Sequence, residues 1–191
     1  MFKKTLLAGI TGVVLSGVVF HASAAGEANQ GSGKITFTGE VIEAPCSIKP
    51  GDEDLKVNLG EVATNVLNST QQSLAEDFTI HLQDCILTDS KGVVVTDKVK
   101  ITFTSPNTDT TDTSLMANTL QGNIGAASNV GVRILDSGNN KLTLGSAVTV
   151  TFPDSSSYQE LNFKARMEKI GTTTVTPGNV QAQANYMLDY K

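Results

Sequence analysis

The chain alternates apolar and polar residues with a period of two along much of its length, and this pattern constrains the fold more than any other feature. Successive side chains of an extended strand point to opposite faces of a sheet, so strict alternation indicates strands with one buried face. Threonine is frequent and helix-forming blocks are scarce, which favours the same conclusion. The internal runs of this kind are Phe78–Leu82, Val99–Phe103, Val130–Ile134, Val148–Phe152 and Leu161–Met167.

Turn-forming segments separate these runs. Lys49–Asp52, Ser137–Asn140 and Pro153–Ser156 are rich in Pro, Gly, Asn, Asp and Ser, which favour tight turns. Several short strands at this spacing predict a β-sandwich. We expect residues 104–127 to form a long loop and residues 65–74 to hold one helical turn. No internal repeat or domain boundary interrupts the pattern.

The N-terminus has the organisation of a secretory signal. Lys3 and Lys4 precede an apolar run from Leu6 to Phe20, and the small residues Ala22–Ala24 follow it. A membrane anchor is the alternative, but spanning a bilayer takes about 20 consecutive apolar residues, and this run is shorter. We therefore predict that residues 1–24 are removed and that the mature chain begins at Ala25.

Of the 191 residues, 167 then remain, which suits one domain with its own core. They carry 12 basic and 19 acidic side chains, a net charge of −7 with His neutral. A nucleic-acid-binding domain needs a basic surface, so this balance argues against such a partner and against adsorption to anionic lipid. We expect no membrane insertion of the mature chain.

The only two cysteines, Cys46 and Cys85, allow a single intramolecular pairing. An exported chain reaches an oxidising compartment, so a structural disulfide is the favoured interpretation. Closing a loop of this length stabilises a fold by about 4 kcal/mol in the chain-entropy model. A redox site would show C-x-x-C, and a zinc site would need two further ligands, although His81 is the only histidine left in the mature chain.

The sequence gives no support to catalysis. His81 lies on the polar parity of its run and is expected to be solvated. No G-x-S-x-G or comparable nucleophile context accompanies it. The acidic residues 52–54 lack the glycine and distal glutamate of a calcium-binding loop. We predict a protein without enzymatic activity, metal or cofactor.

Two stretches carry a more specific signal. Residues 31–48 read GSGKITFTGEVIEAPCSI, and residues 178–191 read GNVQAQANYMLDYK, an alternating segment with a penultimate tyrosine. With the signal, the second cysteine about forty residues after the first and the total length, these stretches resemble the pilin subunits of chaperone–usher fimbriae of the type 1 and P-pilus kind.

That resemblance implies an all-β fold, an incomplete immunoglobulin-like β-sandwich that lacks its last strand and is completed in trans by a donor strand. A periplasmic pilus chaperone would fill the open groove first. At an outer-membrane usher, the N-terminal extension of the next subunit would then replace the chaperone by β-strand addition. The implied partners are identical or related pilin subunits, the chaperone and the usher.

The residues support both halves of this mechanism. The C-terminal segment keeps one apolar parity to the chain end, and no residues remain to form a neighbouring strand, so another chain must cover it; an internal final strand is the alternative. The predicted acceptor residues are Gly178, Val180, Ala182, Ala184, Tyr186, Leu188, Tyr190 and Lys191. The predicted donor residues are Gly31, Gly33, Ile35 and Phe37, with Gly33 at the position of the family's tight-pocket glycine. The competing interpretation is that residues 25–32 are a disordered tail and residues 34–43 are the first strand of the chain's own sandwich.

These expectations divide the chain into a signal peptide (1–24), a donor-strand extension (25–38) and a pilin domain (39–191). The predicted function is that of a structural subunit, a major shaft pilin, polymerising by donor-strand exchange and supporting cell adhesion. Such a subunit would pass through the periplasm of a Gram-negative bacterium to a surface fimbrium. The alternatives are a minor or adaptor pilin of the same kind of fimbria, or a monomeric secreted carbohydrate-binding β-sandwich module.

Overall fold

The computed structural model describes residues 33–190. The chain divides into two compact units, Met1–Val41 and Ile42–Lys191. Within the first unit, residues 33–41 form no helix or strand, and strand structure is absent as far as residue 43. The alternative in which residues 34–43 form the first strand of the chain's own sandwich is therefore not observed.

Among residues 33–190, eight strands form two sheets. In chain order they are β1 (Ser47–Ile48), β2 (Glu76–Gln83), β3 (Lys98–Thr104), β4 (Met116–Ala117), β5 (Val130–Asp136), β6 (Ala147–Thr151), β7 (Gln159–Lys169) and β8 (Asn185–Tyr190). One sheet has the order β1-β2-β7-β5-β4 and the other the order β6-β3-β8. Every pairing between these strands is antiparallel.

The core lies where apolar side chains of the two sheets meet. Phe103 of β3 contacts Phe163 of β7 edge-to-face, with ring centroids 5.0 Å apart, and Phe78 of β2 lies 6.4 Å from Phe103. Ile80, Val99 and Ile101 are fully buried beside them. Each belongs to the apolar parity of its run, so the alternation identified the buried face, and the predicted β-sandwich is confirmed.

The segments between the strands hold more structure than predicted. The expected single helical turn is a helix, α1, from Thr64 to Thr70, and Leu67 turns into the core. The expected long loop 104–127 contains β4, which pairs with β5. This two-residue strand has no periodicity of its own, so its position depends on a distant partner that the local pattern does not reveal.

A disulfide joins Cys46 and Cys85, as predicted, and closes a sequence separation of 39 residues. Both cysteines are buried at the end of β2. The Ile86 N–H donates to the Pro45 carbonyl over 2.8 Å, so the chain entering the domain is fixed beside the segment that leaves β2. No helix among residues 33–190 is long and apolar enough to cross a bilayer.

A buried ion network lies on the outer face of the larger sheet. Arg133 was on the polar parity of its run, yet its side chain is only 3% exposed. Its Nε lies 3.2 Å from Glu168 Oε2, and its guanidinium also pairs with Asp112 of the loop between β3 and β4. Arg166 and Lys141 complete the network around Glu168. The loop carrying Asp112 therefore covers a face that the pattern alone leaves to solvent.

This network makes stability depend on pH. Burial raises the pKa of Glu168, but the hydrogen bond from Arg166 and the charge of Arg133 outweigh it and hold that pKa below its ordinary value of 4.5. The network therefore stabilises the fold at neutral pH, and this contribution is lost as the pH falls through the lowered pKa. We predict that Glu168→Gln lowers the free energy of unfolding by about 3 kcal/mol at pH 7, since it leaves Arg133 buried with less charge compensation.

The free energy of unfolding of the unaltered chain and of Glu168→Gln is measured by chemical denaturation at pH 7 and at pH 3. The difference between the two chains should be smaller at pH 3. Lys141→Gln is the matched control, because Lys141 contacts the same carboxylate from an exposed position and should cost less than about 1 kcal/mol. Equal losses in the two variants would contradict the assignment of the buried pair as the stabilising one.

Candidate interaction groove

A groove of about 1160 Å³ opens into the sandwich core. Residues 179–186 line one side of it, and the segment 179–190 to which they belong is here called the C-terminal rim. Residues 55–62, the opposite rim, line the other side. Side chains from both sheets line its floor, among them Phe78, Ile80, Phe103, Met116, Val130, Val132, Ile134, Ala165 and Met167. The groove is therefore a gap in the sandwich that reaches the apolar core, although these side chains, apart from the partly buried Phe78, are at most 5% exposed.

The C-terminal rim has one bonded edge and one open edge. Beyond Asn185 it pairs with β3, from Thr104 opposite Asn185 to Val99 opposite Tyr190. Before Asn185 it is held on one side by hydrogen bonds to neighbouring loops. The carbonyls of Asn179, Gln181 and Gln183 accept from the Ala127 N–H, the Thr119 N–H and the Ser105 hydroxyl at 3.0, 2.8 and 2.7 Å, and the Asn118 side chain adds bonds to the Asn179 carbonyl and the Gln181 N–H.

In an extended segment, the backbone groups of neighbouring residues point to opposite sides. The odd-numbered residues are bonded to the loops on one side, so the backbone N–H and C=O groups of the even-numbered residues point to the groove. Within the described part of the chain, no backbone group of Val180, Ala182 or Ala184 makes a hydrogen bond. Buried backbone groups are nearly always paired. This edge therefore has the chemistry of an open strand waiting for a partner.

The same even-numbered residues turn their side chains toward the core but are only partly buried. They are Val180, Ala182, Ala184, Tyr186, Leu188 and Tyr190. The odd-numbered Met187, by contrast, is 66% exposed. Burial raises the pKa of Tyr186 and of Tyr190 to about 12, so both phenols stay neutral at physiological pH. The rim thus offers an apolar face without charge.

The opposite rim was not identified from the sequence. Residues 55–63 form no strand or helix, and the backbone of residues 56–59 makes no hydrogen bond to another described residue. Leu55 and Val57 are 36% and 37% exposed, and Leu59 packs against the core. The short alternation of Leu55, Val57 and Leu59 was the available signal. Two rims with unpaired backbone leave room for an extended chain between them.

A polar anchor ties the start of the opposite rim to the C-terminal rim. Asp52 is buried, and its Oδ2 accepts from the His81 N–H at 2.6 Å and lies 2.7 Å from His81 Nδ1. The Tyr186 hydroxyl donates to the Asp52 carbonyl over 3.0 Å. Burial raises the pKa of Asp52, but the hydrogen bonds and charge of His81 outweigh it and lower that pKa. His81, expected to be solvated, is part-buried with its side chain 26% exposed, and it has a carboxylate partner that the sequence pattern did not reveal.

Of the acidic residues 52–54, Asp52 belongs to this anchor and holds the two rims together. Among residues 33–190, no cluster of three His, Cys, Asp or Glu side chains has an arrangement that could hold a metal ion.

The remaining predicted residues fall in three places. Gly178 directly precedes the C-terminal rim, and a Cβ there would lie 2.4 Å from the backbone of Ala126 and Ala127, so only glycine fits this close approach. Ile35 and Phe37 are 77% and 88% exposed, and no atom approaches the Cβ position of Gly33 within 4 Å. Gly31, Lys191, the predicted signal peptide and residues 25–32 lie outside the described residues. The donor assignment therefore stays a prediction.

Comparisons with known proteins agree on one kind of molecule. Residues 35–191 match the sequence model of a family described as fimbrial protein. The chain is 55% identical to an uncharacterized fimbrial-like protein of Escherichia coli K12, YgiL, over all of this chain and 98% of that protein. It is 34% identical to the major MR/P fimbria protein of Proteus mirabilis HI4320, over 99% of each chain.

The fold has relatives among solved structures as well. A subunit of a chaperone–usher pilus, from a structure that addresses uncoiling of the pilus rod, superposes with a TM-score of 0.65 at 27% identity. The superposition covers 85% of this chain and 97% of that subunit.

Proposed function

Because the chain belongs to the fimbrial protein family, we propose that it is a shaft subunit of a chaperone–usher fimbria whose groove receives the N-terminal extension of another copy. It is a structural subunit rather than an enzyme, and the fimbrium at the cell surface is its site of action. The open edge of the C-terminal rim, beside a groove that reaches the apolar core, carries this proposal. The name of the major MR/P fimbria protein supports the role of a shaft subunit.

A strand suits this groove better than a small ligand does. Both rims offer unpaired backbone groups, and the floor between them is apolar. An extended peptide satisfies both features, because its main chain pairs with the rims while alternate side chains enter the core.

The extension has the required alternation. Gly33, Ile35 and Phe37 share one parity, and Val41, which is fully exposed, continues it. Intervening residues are polar, such as Lys34, Thr36 and Thr38. One parity would therefore enter the groove of the acceptor, and the other would face solvent.

Each copy then carries one donor segment and one acceptor groove. The two surfaces differ, so the contact is head-to-tail and does not close on itself, which builds an open filament. In a subunit within the fibre, the groove is filled by the extension of one neighbour and the extension is inserted into the groove of the other. These two contacts hold the fibre together.

Transit to the surface requires protection of the groove. An open apolar edge would aggregate in the periplasm. We propose that residues 1–24 direct export and are removed, that a periplasmic chaperone covers the C-terminal rim, and that an outer-membrane usher exchanges the chaperone for the extension of the next subunit.

The proposal is tested on cell-surface and periplasmic fractions by size-exclusion chromatography and by gel electrophoresis in SDS without heating. We expect a ladder of SDS-resistant multimers that collapses to monomer on heating, and a chaperone complex in the periplasm. A lone stable monomer would contradict the proposal and favour a secreted binding module. Electron microscopy of cells with and without the gene should show filaments only when the gene is present.

A further inference from the structure

We propose that two exposed apolar surfaces at opposite ends of the sandwich meet between consecutive subunits of the fibre. The first, the valine patch, consists of Ile86, Val93, Val94 and Val95. The second is the Ile124 loop, residues 120–125, of the copy that accepts the extension. This inference rests on the proposed function, because it concerns the joint that strand exchange creates.

The valine patch is an ordered surface beside the point where the chain enters the domain. Its side chains are 72, 58, 51 and 57% exposed for Ile86, Val93, Val94 and Val95. A bridge between Thr88 and Val94 and the bond from the Asp89 N–H to the Val93 carbonyl (2.8 Å) fix the hairpin that carries the valines. The bond from Ile86 to the Pro45 carbonyl places the patch at the base of the extension.

The Ile124 loop presents a single, fully exposed isoleucine at the end of the groove. Gly122 and Gly125, with φ of +91° and +82°, turn the chain on either side of it. The loop is tied to the first residue of the C-terminal rim, since the Asn179 N–H donates to the Gly125 carbonyl over 2.8 Å. Nothing in the sandwich itself explains why such a large apolar side chain is held outward there.

The two surfaces lie at opposite ends of the domain. The C-terminal rim starts at Asn179 beside the Ile124 loop and ends at Tyr190, which pairs with Val99, four residues after Val95. Eleven residue steps of extended chain separate the two ends, roughly 36 Å. One copy cannot bring its own two surfaces together.

Strand addition brings the valine patch of the donor copy to the Ile124 loop of the acceptor copy. Every pairing in the sheet that contains β8 is antiparallel, and an added strand is more stable in that orientation. An extension antiparallel to β8 ends, at its C-terminal side, next to Asn179 of the acceptor. Only seven residue steps separate Thr38, the last residue of the extension, from Pro45, at most about 25 Å of chain. The donor's valine patch is therefore held at the end of the joint where the acceptor's Ile124 loop lies.

The contact is too small to join free monomers, because the two surfaces comprise about ten residues in all and a stable interface takes about 20–30 residues a side. Within a fibre the inserted extension acts as a tether and raises the effective concentration of the two surfaces. The contact would thus operate only after exchange, and its effect is to restrict bending at the joint.

The test is site-specific photo-crosslinking in assembled fibres. With p-benzoylphenylalanine in place of Val94, we expect crosslinked peptides that join this position to residues 118–127 of a second copy. The same probe at Thr149, an exposed residue in the middle of β6, is the control and should give no such peptide. Crosslinks from position 94 to other segments only, or none, would overturn the inference.

A second measurement separates the contact from strand exchange. Val94→Asp and Ile124→Asp should each leave the SDS-resistant ladder unchanged but shorten the persistence length of the fibres in electron micrographs. Leu74→Asp, at an 86% exposed leucine outside both surfaces, should change neither. Absence of the ladder in the unaltered chain would refute the proposed function. A normal ladder with unchanged stiffness in the two patch variants would refute only this inference.

Discussion

Deleting Asn185 to Lys191 is expected to abolish the folded subunit. The deletion removes β8, the edge strand that pairs with β3, together with Tyr186, Leu188 and Tyr190, which pack against the core. Burial of three such side chains contributes on the order of 5 kcal/mol, which is comparable with the whole stability of a small domain. The shortened chain should be degraded in the periplasm and should form no chaperone complex.

Immunoblots of periplasmic extracts check this outcome. A pair of point substitutions then distinguishes the loss of core packing from the mere shortening of the chain. Leu188→Asp places a charge on the core side of the strand and should mimic the deletion. Met187→Asp places it on the exposed side and should accumulate normally. Stable monomer from the deleted chain, or equal effects of the two substitutions, would contradict the role given to the C-terminal rim.

The second large effect concerns the donor. We expect Gly33→Tyr to block polymerisation while leaving the chaperone-bound monomer intact. Gly33 is assigned to a tight pocket, so a bulky side chain there cannot enter the groove without displacing its floor, unlike the side chains of Ile35 and Phe37 at their own positions. The groove of the same subunit is unchanged. Gly39→Tyr, on the same parity but one residue beyond the extension, tests whether this restriction continues past residue 38.

Thr36→Tyr is the matched control, since position 36 has the opposite parity and would face solvent. The measurement is the unheated SDS ladder alongside the yield of chaperone complex. Normal fibres from the Gly33 variant would refute the assignment of that glycine, and loss of fibres from the Thr36 variant would refute the proposed parity.

Local pattern predicted the strands well because the alternation of buried and exposed positions is a property of each strand alone. Val99–Phe103 and Leu161–Met167 could be located without knowledge of their partners. The C-terminal segment was recognised on the same basis, although only residues 185–190 of it form a regular strand. Residues 179–184 are extended but bonded to scattered loop groups, a difference that side-chain pattern does not report.

The features that were missed depend on distant contacts. Asp52 and His81 are 29 residues apart in sequence and form a single anchor. Arg133 and Asp112 meet because a loop folds over the outer face of a sheet. The opposite rim, Leu55–Leu59, lacks a strand partner and is defined mainly by the groove it borders. Polar parity indicated solvent at His81 and Arg133, but tertiary packing buries Arg133, leaves His81 part-buried and gives both an acidic partner.

The central claim is that the open edge at Val180, Ala182 and Ala184 is completed by another copy. Hydrogen exchange at these three amides tests it most directly, compared between assembled fibres and a refolded subunit that lacks residues 25–38. We predict exchange slowed at least about a thousandfold in the fibre, as for amides in a protected ladder, and fast exchange in the shortened subunit. Equally fast exchange at all three amides in the fibre would contradict the account.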